Sequence, residues 1–177
     1  MPEPNPEILI AGVGNVLQGD DGFGIEVANR LMRLDDLPAS VKVIETGIGG
    51  MSLVQELMDG YDALIILDAY SKGGMPGQLY LLEPVLPDLS NLSVGEKRDY
   101  FADTHYATPM RALSLLAHVA TLPKTIRIVG CEPEQLDDLR IGLSPAVAGA
   151  IDQAVAMVVD WIRQYQATSV TEPIDAT

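Results

Sequence analysis

The chain has 177 residues, of which 47% are hydrophobic, enough for one sizeable core but short of what two ordinary domains need. We therefore predict one domain at 1–166 and a disordered tail at 167–177. With 11 basic and 25 acidic residues, the formal net charge is −14, which argues against binding to nucleic acid or anionic lipid. No uninterrupted apolar run approaches the roughly 20 residues of a membrane span, and residues 1–6 show no signal-peptide pattern. We expect a cytoplasmic protein without membrane contact.

Continuous apolar runs alternate with stretches of helical periodicity through the first half of the chain. In chain order they predict a strand at 8–12, a helix at 22–34, a strand at 41–45, a helix at 51–58 and a strand at 63–69. Uninterrupted Val, Ile and Leu runs are typical of strands that are covered on both faces. This alternation predicts a parallel sheet with helices on both sides.

The second half of the chain adds one strand of opposite direction and a long connection. The strand predicted at 78–82 follows the previous one too closely for a helical crossover, so it should run antiparallel at an edge. Segment 83–104 is predicted to be irregular and is a candidate lid or docking segment. A helix at 109–122, a strand at 125–130 and a helix at 144–166 complete the chain. The predicted fold class is α/β, a three-layer sandwich whose mostly parallel five-stranded sheet has one antiparallel edge strand.

Acidic side chains lie at the ends of two predicted strands, where ligands gather in sheets of this kind. Asp20 and Asp21 precede the first helix, where they would repel a phosphate, so a cation site is favoured over a dinucleotide site. The alternative is that both aspartates only cap the helix. Asp68 ends a run of buried aliphatic residues, so it must be paired, hydrogen-bonded or metal-bound to offset its desolvation. Its structural alternative is a cap or turn hydrogen bond.

The chain has two histidines and one cysteine that could add to this chemistry. His105 precedes the helix at 109–122 and is a candidate metal ligand, the alternative being a solvent-exposed loop histidine. His118 falls within that helix and is interpreted as structural. Cys131 is interpreted as a buried structural thiol, and Glu132 beside it is expected to shape the same edge. Two carboxylates and one imidazole would suit zinc, nickel or a similar divalent ion, with positions left for water or substrate.

Several short motifs are specific in combination, although each is weak alone. They are residues 12–17 (GVGNVL) followed by 20–24 (DDGFG), 45–51 (ETGIGGM), 65–69 (IILDA), and 130–133 (GCEP) with 141–144 (IGLS). Together they resemble the opening motif, the Gly-rich second turn, the third-strand aspartate and the C-terminal half of the nickel-iron hydrogenase maturation proteases. The resemblance spans most of the chain.

This resemblance implies a phosphorylase- or hydrolase-like α/β fold and a set of site residues. It assigns Asp21, Asp68 and His105 as metal ligands and as the catalytic site. The Gly-rich turns are predicted to contact substrate through Asn15, Gly47 and Gly49. The metal is expected to be nickel that the substrate supplies, although another divalent metal can occupy such a site in vitro.

The resemblance also implies an activity and a partner. Members of this family remove a short C-terminal extension from the [NiFe] hydrogenase large-subunit precursor after nickel insertion, so we expect an endopeptidase acting on that precursor. We expect a monomer because the sequence shows no extended apolar surface helix. One alternative is a non-proteolytic, nickel-dependent checkpoint or chaperone for the precursor. Another is a nucleotide- or nucleoside-binding α/β protein, which the Gly-rich turns would suit but which lacks basic groups for phosphate.

Overall fold

The computed structural model describes residues 7–48, 50–102, 108–136 and 139–169. Five strands form one sheet in the order β2-β1-β3-β5-β4. Four of them are parallel, and β4 runs antiparallel beside β5 at the edge. The predicted sheet is therefore confirmed, with its antiparallel edge strand in the expected place. The strands are β1 Ile8–Val13, β2 Val41–Gly47, β3 Ala63–Ala69, β4 Leu79–Leu82 and β5 Thr125–Cys131.

Helices cover both faces of this sheet, which makes the three predicted layers. Strand side chains alternate between the faces, so Ile8 and Ile10 enter one core while Leu9 and Ala11 enter the other. Residues of α1 and α6 fill the first core, and residues of α2 and α4 fill the second. The described helices are α1 Phe23–Met32, α2 Gly50–Leu57, α3 Val94–Ala102, α4 Pro109–Val119, α5 Pro145–Ala148 and α6 Ile151–Ser169.

Segment 83–104 is not irregular throughout, and that part of the sequence prediction is wrong. Helix α3 forms within it, and a reciprocal pair of hydrogen bonds closes its first turn. The Ser93 backbone N–H donates to the Glu96 carboxylate (2.8 Å), and the Glu96 N–H donates to Ser93 Oγ (3.3 Å). This capping box satisfies two amide groups that the start of a helix leaves without partners. Leu89, just before it, is buried, so the segment is anchored to the protein.

The last predicted helix, 144–166, is two helices in the structure. Ser144 caps α5 by accepting a hydrogen bond from the Val147 N–H (3.4 Å), and α5 ends at the C-cap Gly149. The second helix, α6, continues through Ser169, so residues 167–169 of the predicted tail are helical, and the rest of that prediction lies outside the described residues. By length and composition alone, segment Pro145–Ser169 is apolar and long enough to cross a membrane. Its buried residues nevertheless pack in the first core.

Close packing of α1 brings the ends of β1 and β3 to the start of that helix. A Cβ atom on Gly24 would lie 2.0 Å from the Leu67 carbonyl oxygen and 2.4 Å from that of Val13, so only glycine fits. The 3-10 turn Gly19–Gly22 directly precedes α1 and contacts β3. The fold thereby sets Asp21 of this turn beside the carboxyl end of β3, which carries Asp68.

Candidate active site

The turn after β1 wraps around the Asp21 carboxylate. Asp21 Oδ2 accepts a hydrogen bond from the Asn15 backbone N–H (2.7 Å), and Asn15 Oδ1 accepts one from the Leu17 N–H (3.0 Å). Gly14 makes this possible because its φ is 135° and a Cβ atom there would lie 1.8 Å from the Asp21 carbonyl oxygen. Within the described residues Oδ1 of Asp21 accepts no hydrogen bond, so this oxygen is available to a ligand.

Asp68 lies where ionisation is strongly opposed. Burial raises the pKa of Asp68 to about 8, and the negative charge of Asp21 adds to the increase, against a hydrogen bond from the Ala69 backbone that lowers it. The two carboxylates are therefore close enough to repel each other. A bound cation would remove this repulsion, so the pair fits a divalent metal ion by its donor chemistry.

Asp20, the neighbour of Asp21, has a different role. It is only 2% exposed, and its two carboxylate oxygens accept hydrogen bonds from the backbone N–H groups of Ser144 (2.6 Å) and Glu134 (2.8 Å). Burial raises the pKa of Asp20, but these hydrogen bonds outweigh it and leave the pKa below its ordinary value. Asp20 thus fixes the connection after β5 to the turn that carries Asp21. Asp20 therefore neither caps the helix nor has an oxygen left for a cation, because both of its carboxylate oxygens accept backbone hydrogen bonds.

Glu132 fixes the connection after β3 in the same way. Its side chain is buried and accepts hydrogen bonds from the Lys72 N–H (2.8 Å), the Gly73 N–H (3.2 Å), Ser71 Oγ (3.0 Å) and the Tyr80 hydroxyl (2.7 Å). The backbone hydrogen bond from Lys72 is the largest cause that lowers the pKa of Glu132, to about 2. The loop that follows Asp68 is therefore tied to the ends of β4 and β5.

The Glu132→Gln variant is expected to lower the melting temperature at pH 7 by roughly 4–8 °C, because the amide cannot accept all four hydrogen bonds. Glu134→Gln is the matched control, since the Glu134 side chain is exposed and should leave the melting temperature unchanged. Because the folded-state pKa of Glu132 is lowered, the difference from wild type should be full above pH 4.5 and shrink as the pH falls towards 2. Thermal denaturation followed by circular dichroism at several pH values would measure this; equal losses at pH 7 and pH 2 would contradict the assignment.

A cleft of about 440 Å³ opens beside the Asp21 turn, between the ends of β1 and β2. This volume falls within the range of binding sites for small ligands or short peptide segments. Glu45 is the charged residue in its described lining. The lining also includes Asn15 and Gly47, two of the three predicted substrate contacts. The residues that line the cleft are Gly14, Asn15, Val16, Ile25, Glu45, Thr46, Gly47 and Ile48.

Two predicted site residues, His105 and Gly49, lie outside the described residues, so both assignments stay predictions. Within the described part of the chain, no cluster of three or more His, Cys, Asp or Glu side chains suits a metal ion. The structure therefore brings together Asp21 and Asp68 of the predicted triad.

The two residues interpreted as structural keep that interpretation. Cys131 is 1% exposed, and burial raises the pKa of its thiol to about 11, so it is not poised as a nucleophile. His118 Nδ1 lies 2.8 Å from the Ser114 carbonyl oxygen within α4, on the exposed face of that helix.

Sequence reasoning missed the apolar part of the cleft. Val16 and Ile48 line it and are 50% and 65% exposed. In the sequence they are single aliphatic residues in Gly-rich turns, and nothing in their spacing separates them from core residues. The Gly-rich turns on either side were the available signal.

The fold and the site fit a class of protein, the α/β enzymes, because two neighbouring carboxylates lie beside an open cleft at the carboxyl ends of the strands. A family model described as HycI, hydrogenase maturation protease, matches residues 25–161. The chain belongs to the hydrogenase maturation protease family and is a peptidase.

Individual relatives agree with this assignment. The chain is 33% identical over 166 residues to the hydrogenase expression/formation protein HupD of Rhodobacter capsulatus, covering 93% of this chain and 76% of that protein. It is 33% identical over 159 residues to the hydrogenase 2 maturation protease of Escherichia coli K12, covering 89% and 91%. Among solved structures, the hydrogenase maturating endopeptidase HybD from E. coli has a TM-score of 0.72 at 30% identity, with 89% and 92% covered.

Proposed function

We propose that this peptidase removes the C-terminal extension of a nickel-loaded [NiFe] hydrogenase large-subunit precursor. The nickel arrives with the substrate and is the recognition element, held by Asp21, Asp68 and His105. Family membership supports the precursor as the substrate. The proposal further includes a monomeric, cytoplasmic enzyme.

The placement of Asp21 beside Asp68, at the carboxyl end of β3, is the observation that supports this proposal. Burial and the Asp21 charge raise the pKa of Asp68 to about 8, so in the absence of a cation Asp68 is mostly protonated at neutral pH. A precursor that carries nickel supplies the missing positive charge, and Asp68 then ionises and releases its proton. A precursor without nickel supplies no such charge and is bound less tightly, which gives the site a physical means to distinguish loaded from empty substrate.

The cleft supplies the second requirement, which is to hold the chain that is cut. It adjoins the Asp21 turn through Asn15, whose backbone N–H is bound to Asp21. A peptide that passes through the cleft is therefore positioned beside the two carboxylates. Such positioning converts the attack of water on the scissile peptide into a reaction between oriented groups.

Mass spectrometry of the purified precursor after incubation with the enzyme tests this function. Nickel-loaded precursor is expected to lose the mass of its extension, and nickel-free precursor is expected to keep it. His105→Ala should lower the cleavage rate on the order of a hundred-fold. His118→Ala is the matched control and should cut at the wild-type rate.

Each alternative outcome has a definite meaning. An unchanged mass with tight binding of the nickel-loaded precursor would replace the protease by a non-proteolytic checkpoint. Equal cleavage of nickel-loaded and nickel-free precursor would remove nickel from recognition. Full activity of His105→Ala would remove His105 from the site.

A further inference from the structure

Four large aliphatic side chains are exposed next to the candidate active site. Leu139 and Ile141 are 89% and 84% exposed, and Val16 and Leu17 are 50% and 53% exposed. We call these four residues the apolar strip. Exposed aliphatic residues are ordinary when scattered, but a contiguous group beside a binding cleft marks an interaction surface.

Backbone pairing makes the strip contiguous. Arg140 N–H donates to the Leu17 carbonyl (2.9 Å), and Gly19 N–H donates to the Arg140 carbonyl (2.7 Å), which forms a parallel bridge between Gln18 and Arg140. Because Arg140 points its N–H and its C=O in the same direction, its backbone is extended, and the side chains of Leu139 and Ile141 flank it on one face. The bridge aligns Leu139 with Leu17 and Ile141 with Gly19.

The same pairing leaves a backbone edge that has no partner among the described residues, and we call it the free edge. Because Arg140 directs both its N–H and its C=O at residues 17 and 19, the peptide groups of Leu139 and Ile141 point away from that pairing. Within the described part of the chain they form no hydrogen bond. Such an edge can accept another extended chain through main-chain hydrogen bonds.

The strip is held in place rather than loosely attached. Asp20 binds the backbone of Glu134 on one side of the segment and of Ser144 on the other. Leu143, between the segment and Ser144, packs against the first core. A preformed surface loses little conformational entropy when a partner binds.

The strip is also continuous with the cleft, because Val16 belongs to both. Residues 15–17 run from the cleft, past the Asn15 amide that binds Asp21, to the paired segment. A chain that leaves the cleft along this turn meets Leu17, and then Leu139 and Ile141.

We propose that the apolar strip and its free edge bind the C-terminal extension of the precursor as an added strand, with apolar residues of the extension on Leu139 and Ile141. This inference rests on the proposed function and names a second part of its substrate site. Strand addition requires a partner whose backbone groups are free, and a chain end supplies them. A second copy of this chain is not favoured, since four side chains cover far less than the roughly 800 Å² per partner of a stable interface.

Steady-state kinetics of a double variant, Leu139→Ser with Ile141→Ser, test the docking. The KM for nickel-loaded precursor is expected to rise at least about ten-fold with kcat unchanged within about two-fold, because binding is lost and the chemistry is not. The matched control is Val85→Ser with Val94→Ser, which removes two aliphatic side chains that are 89% and 86% exposed elsewhere. A KM equal to that of the control would overturn the proposal.

A double-mutant cycle identifies the bound segment. Deleting the extension from the precursor should weaken its binding to the wild type at least about ten-fold but should not weaken binding to the double variant further. Additive losses would show that the strip contacts another part of the precursor. A wild-type dimer that the double variant abolishes would assign the strip to self-association.

Amide hydrogen exchange tests the strand addition itself. A synthetic extension peptide is expected to slow exchange at Leu139 and Ile141 at least about ten-fold in the full-length protein. Unchanged exchange together with a raised KM would reduce the interaction to side-chain contact and overturn the added strand. If the wild type binds the extension by these measures but leaves the precursor uncut, the docking surface stands and the proteolytic function fails.

Discussion

The Asp68→Asn variant is expected to cut the precursor at a rate lower by on the order of a hundred-fold or more, and yet to be more stable than the wild type without metal. Activity falls because asparagine cannot supply the carboxylate that holds a cation. Stability rises because asparagine removes an ionisable group from a place where ionisation is opposed. A residue with only a structural role would lose stability when substituted, so the opposite signs identify a functional one.

The size of the stability gain should depend on pH in a defined direction. The unfolded chain releases the Asp68 proton near pH 3.8, whereas the folded protein keeps it until about pH 8. The folded state therefore binds more protons between these values, and this carboxyl group lowers the free energy of unfolding as the pH rises. We expect Asp68→Asn to be several kcal/mol more stable than wild type at pH 9, with little difference near pH 3.

Urea denaturation in the presence of a chelator, at pH values from 3 to 9, would measure the gain. Asp152→Asn is the control, because Asp152 is 84% exposed and paired with Arg30 at the surface. Its stability should follow wild type across the range. An Asp68→Asn protein that is less stable than wild type at pH 9 would contradict the electrostatic account of the site.

Substitution of the two adjacent aspartates is expected to affect different properties: Asp20 variants lose stability, whereas Asp21 variants lose activity. Asp20→Ala should lower the free energy of unfolding by about 3–5 kcal/mol, because it leaves the N–H groups of Ser144 and Glu134 buried without an acceptor. Asp21→Ala should cost below about 2 kcal/mol, because it removes one hydrogen bond, from Asn15, in a partly exposed turn. Asp21→Ala should nevertheless abolish cleavage.

Denaturant unfolding and the cleavage assay on the same preparations separate these roles. Asp20→Asn, which keeps one acceptor oxygen, is the variant to use if Asp20→Ala does not fold. The pKa of Asp20 is lower in the folded state than its ordinary value of 3.8. The stabilisation by its carboxylate should therefore be complete above pH 3.8 and should be lost as the pH falls through the folded-state pKa. Equal stability losses at both positions would contradict a structural role for Asp20 and a functional role for Asp21.

Local patterns in the sequence were sufficient for most of the fold. The apolar runs at 8–12 and 63–69 predicted buried parallel strands, and the short connection to β4 predicted its antiparallel direction. Helix α3 was missed because its surface is polar and its periodicity is weak, although Ser93 and Glu96 at capping-box spacing were a visible signal. The break between α5 and α6 was missed because Gly149 lies inside a continuous helical pattern.

The candidate active site, too, was predictable from the sequence only in part. Asp68 was identified from its position at the end of a buried strand, since a carboxylate there needs compensation wherever the helices pack. The roles of Asp20 and Asp21 could not be separated, because they depend on Ser144 and Glu134, more than a hundred residues away. The exposure of Leu139 and Ile141 was equally hidden, since aliphatic residues have the same sequence pattern whether they face a core or solvent.

The sequence by itself thus predicted the five strands, most of the helices and the two carboxylates, Asp21 and Asp68, of the candidate active site. These follow from periodicity and from the cost of burying charge, which are properties of short segments. Only the tertiary structure decided which neighbouring aspartate is anchored and which is available, and where the paired segment at Arg140 meets the turn beside the cleft. Those features arise from hydrogen bonds and packing between segments that are distant in the chain, and no local pattern contains them.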